Sequence, residues 1–556
     1  MDGRRRWYLE WEAWALAALV LAIYLSRIES LSLTGEETRR GLIALEMVEL
    51  DDLVVPRQQG RPALFRPPLQ NWIISFVAWL HGSYDEFAVR LPSVIATLFT
   101  VLGVYAYCRE FMSRIGALGG ALSMATMAHV LQYGWLGETE ALYVLIVGGS
   151  MLAWRRLDER SSPYAAWCIG YALAGLGMLT KGPQAPMLFA GSVGLFLIWQ
   201  RRARELLARP HLAGIALFVV IYAAWEIPFY LRVGSQAAWG MFANDVAARF
   251  EGNGVVRLLR HLALFPLEVF ACLLPWGITL LAFVRRDIRR SLGATAIEAR
   301  FFLCCVAIGF ISCWLVPGAK NRYFAPLYPC VAVLVGLAID RLDALGFQAT
   351  TGWRVMVRML AVAVLVTGAW FVGVTLIGYG PQLGTQPFAF AIAYGLISLT
   401  LAMVFGRSIR MPRPLAWPVM MLCVAVFLGL TYNGAVVNTF IAARRAMDRD
   451  VLAARSRLPA GAKLVSIGEV AHNFAFYYGE VIPRYDDQAA ALGDSQWTYF
   501  CAGNEFSMPA CDFPHSEIAR VSCDPHCSIT PRAYVIIGRR EAVGVASRPD
   551  DHLPPR

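Results

Sequence analysis

Lysine is almost missing from this chain: of its 50 basic residues only Lys181, Lys320 and Lys463 are lysines. Charge of either sign is scarce as well, at 16% of 556 residues against about 25% in soluble proteins. With glycine counted and tyrosine left out, roughly 62% of the chain is apolar, where soluble proteins hold about 45–50%. A water-soluble globule of this length cannot hide that much hydrocarbon, so an ordinary soluble domain is excluded. There is no Walker loop, no G-x-G-x-x-G after a strand and no H-E-x-x-H. An ATP-driven pump and a zinc protease therefore have no support. The net charge of +10 invites a nucleic-acid partner, and only the placement of the charges can decide that.

What the sequence has instead is long apolar runs. Thirteen lie near 11–28, 91–108, 115–131, 139–154, 164–180, 183–200, 211–227, 264–283, 300–316, 323–339, 355–376, 386–405 and 415–437, about the length needed to cross a bilayer as helix. The first follows Arg4, Arg5 and Arg6 and has no small-x-small cleavage site after Ile28, so it reads as a retained anchor. With the N-terminus inside, the inner connections hold 23 basic residues and the longer outer ones 14, which is the cytoplasmic bias expected of a polytopic membrane protein. An odd number of spans puts the C-terminus outside. Most of the positive charge is thus an orientation signal, and no nucleic-acid partner is expected.

Two outer connections, 29–90 and 228–263, are long enough to expect function in them. The first contains an apolar stretch, Leu69 to Leu80, suited to lying in the interface with Trp72 and Trp79 as anchors. Beyond residue 440 the composition changes. Lys463–Gly468 and Tyr534–Gly538 read as short buried strands and Ala471–Tyr478 as a helix turn or two, giving a small soluble α/β domain over 441–556. Cys501, Cys511, Cys523 and Cys527 fall in it, an even number that fits two disulfides in an oxidising compartment. A zinc site using Cys523 and Cys527 with His515 or His526 is the rival. The other eight cysteines lie in spans or at their ends, as small apolar side chains.

Charged residues near the outer face are where chemistry would show. Glu36 and Glu37, followed by Arg39, open one such segment; Thr34-x-x-Glu37 fits a helix capping box, and the same acids fit a reaction centre at a helix start. Glu138 and Glu140 form a second acidic pair on the same expected side. They read as solvated surface or as carboxylates that orient a hydroxyl or take its proton. Lys181, Lys320 and Arg322 lie on short outer turns, where positive charge is topologically disfavoured. Snorkelling to headgroups explains them, and so does binding an anionic phosphate at the surface; Arg66 and Arg249 fit the same cluster. His129, inside a span, reads as a hydrogen-bonded interior residue rather than a ligand.

Several segments in order resemble one family. Glu36-Glu37-Thr38-Arg39, Val55-Pro56, Arg66-Pro67-Pro68-Leu69 and Glu86 to Ser93 are similar to the first periplasmic loop of the bacterial aminoarabinose transferases of lipid A and their protein O-mannosyltransferase relatives. Leu179–Pro183 and Pro317–Pro329 match further family segments, so the resemblance covers roughly 30–340. It implies a mainly α, polytopic transmembrane GT-C fold: a catalytic domain over 1–440 with periplasmic loops 29–90 and 228–263, and a periplasmic α/β domain over 441–556. It also implies a multi-pass inner-membrane glycosyltransferase with a polyprenyl-phosphate-linked sugar donor and a lipid, glycan or protein acceptor. Residue by residue, Glu36 stands for the family's catalytic Asp, Glu37 for the Glu after it and Glu140 for a second acidic position, with Arg39 and Glu138 supporting. Arg66, Lys181, Arg249, Lys320, Arg322 and Tyr323 are then the carrier-phosphate residues.

Two departures qualify the likeness. Glu for Asp at position 36 moves the carboxylate by about an ångström, a displacement that can cost around a hundredfold where positioning is the mechanism. Phe65 replaces a Glu linked in the aminoarabinose enzymes to a divalent metal, so no cofactor is assigned and both metal binding and that donor sugar are open. The rival class is a non-enzymatic flippase or transporter of lipid-linked sugars, for which inverted repeats and ionisable groups at mid-membrane are expected; neither is visible here.

Overall fold

The computed structural model describes residues 7–26, 28–29, 31–248, 254–374, 387–433, 447–459, 461–486, 488–494, 497–502, 515–522 and 533–539. The chain divides into two units, one of residues 1–28, 64–73 and 90–442 and the other of 29–63, 74–89 and 443–556.

The first unit is helical, as a segment must be if it is to pair all its backbone groups in hydrocarbon. Among the described residues seven helices are long and apolar enough to cross a membrane: Glu86–Cys108, Arg209–Val233, Gly293–Trp314, Ala325–Ala344, Thr351–Val374, Ala391–Ser408 and Pro414–Asn433. Every one of the thirteen apolar runs is largely helical, but several fall short of a straight span. Trp11–Leu25 and Gln184–Trp199 are shorter. The run 115–131 breaks at Met127, whose ψ of 140° ends the Arg114–Thr126 helix before Ala128–Tyr133 begins. The run 264–283 is two helices, Val255–Cys272 and Trp276–Val284, bent by 112°, and Pro275, which has no N–H to give, stands at the break. Counted as one span, this pair makes eight. The expected long connection at 228–263 is itself largely helix, through Ser235–Ala248.

Small residues let the central helices touch. Ala325–Ala344 is 94% buried along its apolar window, whereas Arg209–Val233 is 17% buried and turns outward. Gly336 lies so close to the Arg114–Thr126 helix that a Cβ there would sit 2.7 Å from the Gly116 carbonyl oxygen. Gly116 and Gly120, one turn apart, form the small-xxx-small face that permits this. The Glu140–Glu159 and Pro163–Lys181 helices pack along one another, and the short turn between them makes them antiparallel. Arg155 on the first of these pairs with Glu298, which also accepts the Tyr107 hydroxyl, tying three helices together.

The second unit joins the first long connection to the C-terminal segment. Leu33, Leu42, Ile74, Val89, Val451, Phe474, Tyr478 and Ile536 share one apolar core. Strands β3 (Leu464–Ile467), β4 (Arg484–Tyr485), β5 (Tyr499–Ala502), β6 (His515–Ser522) and β7 (Ala533–Arg539) form a sheet in the order β4-β3-β5-β7-β6. β3 is parallel to β4 and β5, and β7 is antiparallel to β5 and β6. A two-stranded hairpin, β1 (Arg57–Gln58) with β2 (Arg61–Pro62), turns through Gln59 and Gly60, both at positive φ, the conformation that suits a tight hairpin. Glu46 secures the turn by accepting the Gln59 and Gly60 amides at 2.7 and 2.9 Å.

Leu69–His81 is helical, with Phe76, Trp79 and Leu80 exposed and Trp72 half-buried. Cys501 is buried on β5. Cys511, Cys523, Cys527 and His526 lie outside the described residues, and so does Arg249. Cys108, Cys304, Cys305, Cys330 and Cys423 are buried thiols.

Candidate active site

In the first unit, two helix ends bring opposite charges together. Glu140 is the first residue of its helix and Lys181 the last of the neighbouring antiparallel one. Each charge suits the end of the dipole it occupies. Lys181 Nζ donates to Glu140 Oε1 at 2.7 Å, with both side chains about 5% exposed or less. Arg322, from the turn at Asn321–Tyr323, reaches Glu140 Oε1 at 3.7 Å and Glu138 Oε2 at 3.4 Å. The Tyr143 and Tyr323 rings lie 5.4 and 5.5 Å from Lys181 Nζ. Arg66 donates through Nη1 to the Lys181 carbonyl at 3.0 Å, which caps the helix end where Gly182, at φ +115°, turns the chain away.

Snorkelling is therefore wrong for Lys181: its ammonium points inward to a carboxylate and two rings. Glu138 and Glu140 are likewise not solvated surface, being 13% and 5% exposed and both within reach of Arg322. Lys320 is exposed. His129 is buried, its Nδ1 2.5 Å from the Tyr328 hydroxyl, as an interior histidine should be. His129, Tyr328, Thr97, Thr100, Tyr133 and Glu140 line a cavity of about 20 Å³, large enough for one water with polar partners.

In the second unit, Glu36 begins the Glu36–Glu49 helix. The capping box does not form: Gly35 is the N-cap, at φ +58°, and no side chain caps it. Its φ is one that a side chain would disfavour. Glu36 accepts from Arg40 Nη2 at 3.1 Å and pairs with Arg39. Burial raises the Glu36 carboxyl, but the Arg40 and Arg39 guanidiniums outweigh it and hold the group below the usual carboxylate range. Glu36 is 35% exposed, and Glu37 is 1% exposed. The first can meet a substrate and the second cannot without a rearrangement.

The sequence reading missed His472. It lies beside Glu36, Arg39 and the Gly35 backbone, pushed down to about 4 by burial and then by the Arg39 charge. No motif marks it; the one signal was its place at the start of the predicted Ala471–Tyr478 helix. Phe65 is half-exposed and has no donor atom, and among the described residues no group of three His, Cys, Asp or Glu side chains is disposed to hold a metal. Position 65 therefore supplies no ligand where the resemblance puts a metal-linked Glu.

Comparisons with known proteins agree with this architecture. Residues 65–227 match the family model described as dolichyl-phosphate-mannose-protein mannosyltransferase. The chain is 27% identical over 339 residues to undecaprenyl phosphate-alpha-4-amino-4-deoxy-L-arabinose arabinosyl transferase 1 of Pseudomonas fluorescens, and 28% over 346 residues to the corresponding transferase of Pseudomonas aeruginosa. These alignments cover 59% and 60% of this chain and 58% and 61% of those relatives' lengths. The fold is shared with the crystal structure of ArnT from Cupriavidus metallidurans bound to undecaprenyl phosphate, at a TM-score of 0.70 and 16% identity, over 94% of this chain and 97% of that one. In motifs, in sequence over about three fifths of its length and in fold, the chain is thus similar to aminoarabinose transferases and, over residues 65–227, to the protein mannosyltransferase family model.

Proposed function

We propose that this protein is a multi-pass bacterial inner-membrane glycosyltransferase, N-terminus cytoplasmic and C-terminus periplasmic, that moves a sugar from a polyprenyl-phosphate carrier to an envelope acceptor. The observation that carries the reading is the buried cluster at Lys181. Three cations, Lys181, Arg66 and Arg322, share it with two carboxylates, Glu138 and Glu140. Such a concentration of buried basic side chains suits a phosphate leaving group. Lys320 and Arg249 remain candidate outer contacts to the same phosphate, and Tyr323 supports Lys181 through its ring.

In the reaction, the acceptor oxygen attacks the anomeric carbon and forms the new C–O bond. The bond from that carbon to the carrier phosphate breaks, and the phosphate leaves with the electron pair. Glu36 orients the acceptor hydroxyl and takes its proton, a role its exposure fits better than that of Glu37. Arg39 and Arg40 keep Glu36 ionised and ready to accept. Glu140 holds Lys181 and Arg322 in place for the phosphate. A single displacement inverts the anomeric centre.

The test has two stages. Mass spectrometry of envelope lipids, glycans and proteins from strains with and without the chain identifies the modified acceptor. Purified protein is then given that acceptor with undecaprenyl phosphate-linked 4-amino-4-deoxy-L-arabinose or other carrier-linked sugars. Transfer is expected from the wild type, and a loss of at least a hundredfold from Glu36→Gln and Glu140→Gln. Normal rates in both variants, or label that changes leaflet and never reaches an acceptor, would defeat the proposal.

A further inference from the structure

We infer that the short His472–Tyr478 helix is a clamp that holds the start of the Glu36–Glu49 helix, with His472 and Tyr477 as positioning residues for Glu36. The inference rests on the proposed role of Glu36 and gives the C-terminal segment a part in that chemistry.

Three side chains of this helix reach the Glu36 segment, and each acts at a different point. The Tyr477 hydroxyl accepts the Leu33 N–H and donates to Glu86 Oε1 at 2.8 Å, so the backbone entering the turn is held on both sides of one hydroxyl. The His472 imidazole lies beside the Gly35 backbone, directly before Glu36. Phe476 presses on the helix just beyond: a Cβ on Gly41 would lie 2.6 Å from its ring. His472 and Phe476, four residues apart, share one helix face, and Tyr477 reaches the segment from the flank of that face.

The turn they hold needs outside support. Gly35 has no side chain and sits at φ +58°, ψ −130°. Its carbonyl also accepts from the Thr38 hydroxyl at 2.8 Å, yet no side chain caps the helix N-terminus. A glycine at an uncapped helix start is a poor anchor for a carboxylate that must be placed to within a fraction of an ångström. The clamp compensates for that freedom.

Full-length protein is tested in two ways. Hydrogen–deuterium exchange of residues 33–40 is compared in wild type, Tyr477→Phe, His472→Leu and His472→Asn. The restoration of envelope modification by the same variants and Glu36→Gln is timed in the strain lacking the chain, at matched protein levels. Tyr477→Phe and His472→Leu should each raise exchange in residues 33–40 by about tenfold and slow modification by about tenfold. His472→Asn, which keeps a donor, should recover most of the rate. Affinity of the purified variants for undecaprenyl phosphate, assigned to the Lys181 cluster, should stay within about twofold of wild type. Equal loss in His472→Asn and His472→Leu, or lost carrier binding, would mean a general packing role and overturn the inference. Normal exchange and rates in Tyr477→Phe and His472→Leu, with Glu36→Gln inactive, would overturn the clamp and leave the function standing. Normal modification by Glu36→Gln would remove the function on which the clamp rests.

Discussion

Removing the Lys181 ammonium isolates a buried carboxylate, and the cost can be worked from the geometry. At 2.7 Å the Lys181–Glu140 attraction is about 6 kcal/mol at an effective dielectric constant of about 20. The intact pair yields little net stability, because desolvating two charges costs several kcal/mol each. In Lys181→Met the desolvation of Glu140 remains, offset only by Arg322 at 3.7 Å among the described ion pairs. The expected loss is about 3–5 kcal/mol. Adding Glu140→Leu removes the stranded charge, so the double variant should recover most of that loss. Thermal unfolding in detergent reads the stability of both, and sugar transfer reads the function. If the cluster binds the carrier phosphate, the double variant is stable and inactive. A Lys181→Met protein as stable as wild type would refute the buried pair. A double variant that transfers normally would refute the role given to the pair, whatever its stability.

Glu46 offers a pH test. Burial pushes its carboxyl up to about 7 from a usual 4.5, against the two backbone amides that it accepts. An acid raised in the folded state binds more protons folded than unfolded between those values, so its contribution is full below about 4.5 and is lost as pH rises through about 7. The difference is about 3 kcal/mol. Exchange protection of the Gln59 and Gly60 amides, corrected for intrinsic rates, should fall between pH 5 and pH 8, and Glu46→Gln should flatten the change; equal protection at both pH values would contradict it. Gly336→Ala should destabilise the first unit by about 1–3 kcal/mol, because its Cβ meets a backbone oxygen that cannot yield. Gly149→Ala, whose Cβ meets nothing within 4 Å, is the control and should be neutral or slightly stabilising by thermal unfolding.

Composition and hydropathy alone determined the class of this protein, because a chain with so little charge must satisfy its backbone inside lipid as helices. The residues Glu36, Glu138, Glu140, Arg66, Lys181 and Arg322 were legible as candidates because charge is rare here, and lysine rarer still. Sequence pattern could not tell Lys181 from a snorkelling lysine: only the antiparallel pairing of two helix ends puts its ammonium on Glu140 and under two tyrosine rings. Nor could it show that the 264–283 run bends by 112° or that Gly35, rather than Thr34, starts the Glu36 helix, since both depend on what the neighbouring chain allows. His472 and Tyr477 stand more than 430 residues from Glu36 and carry no motif. Local sequence determines helices and charges, but which distant side chain fixes a carboxylate in place is decided only when the tertiary fold closes.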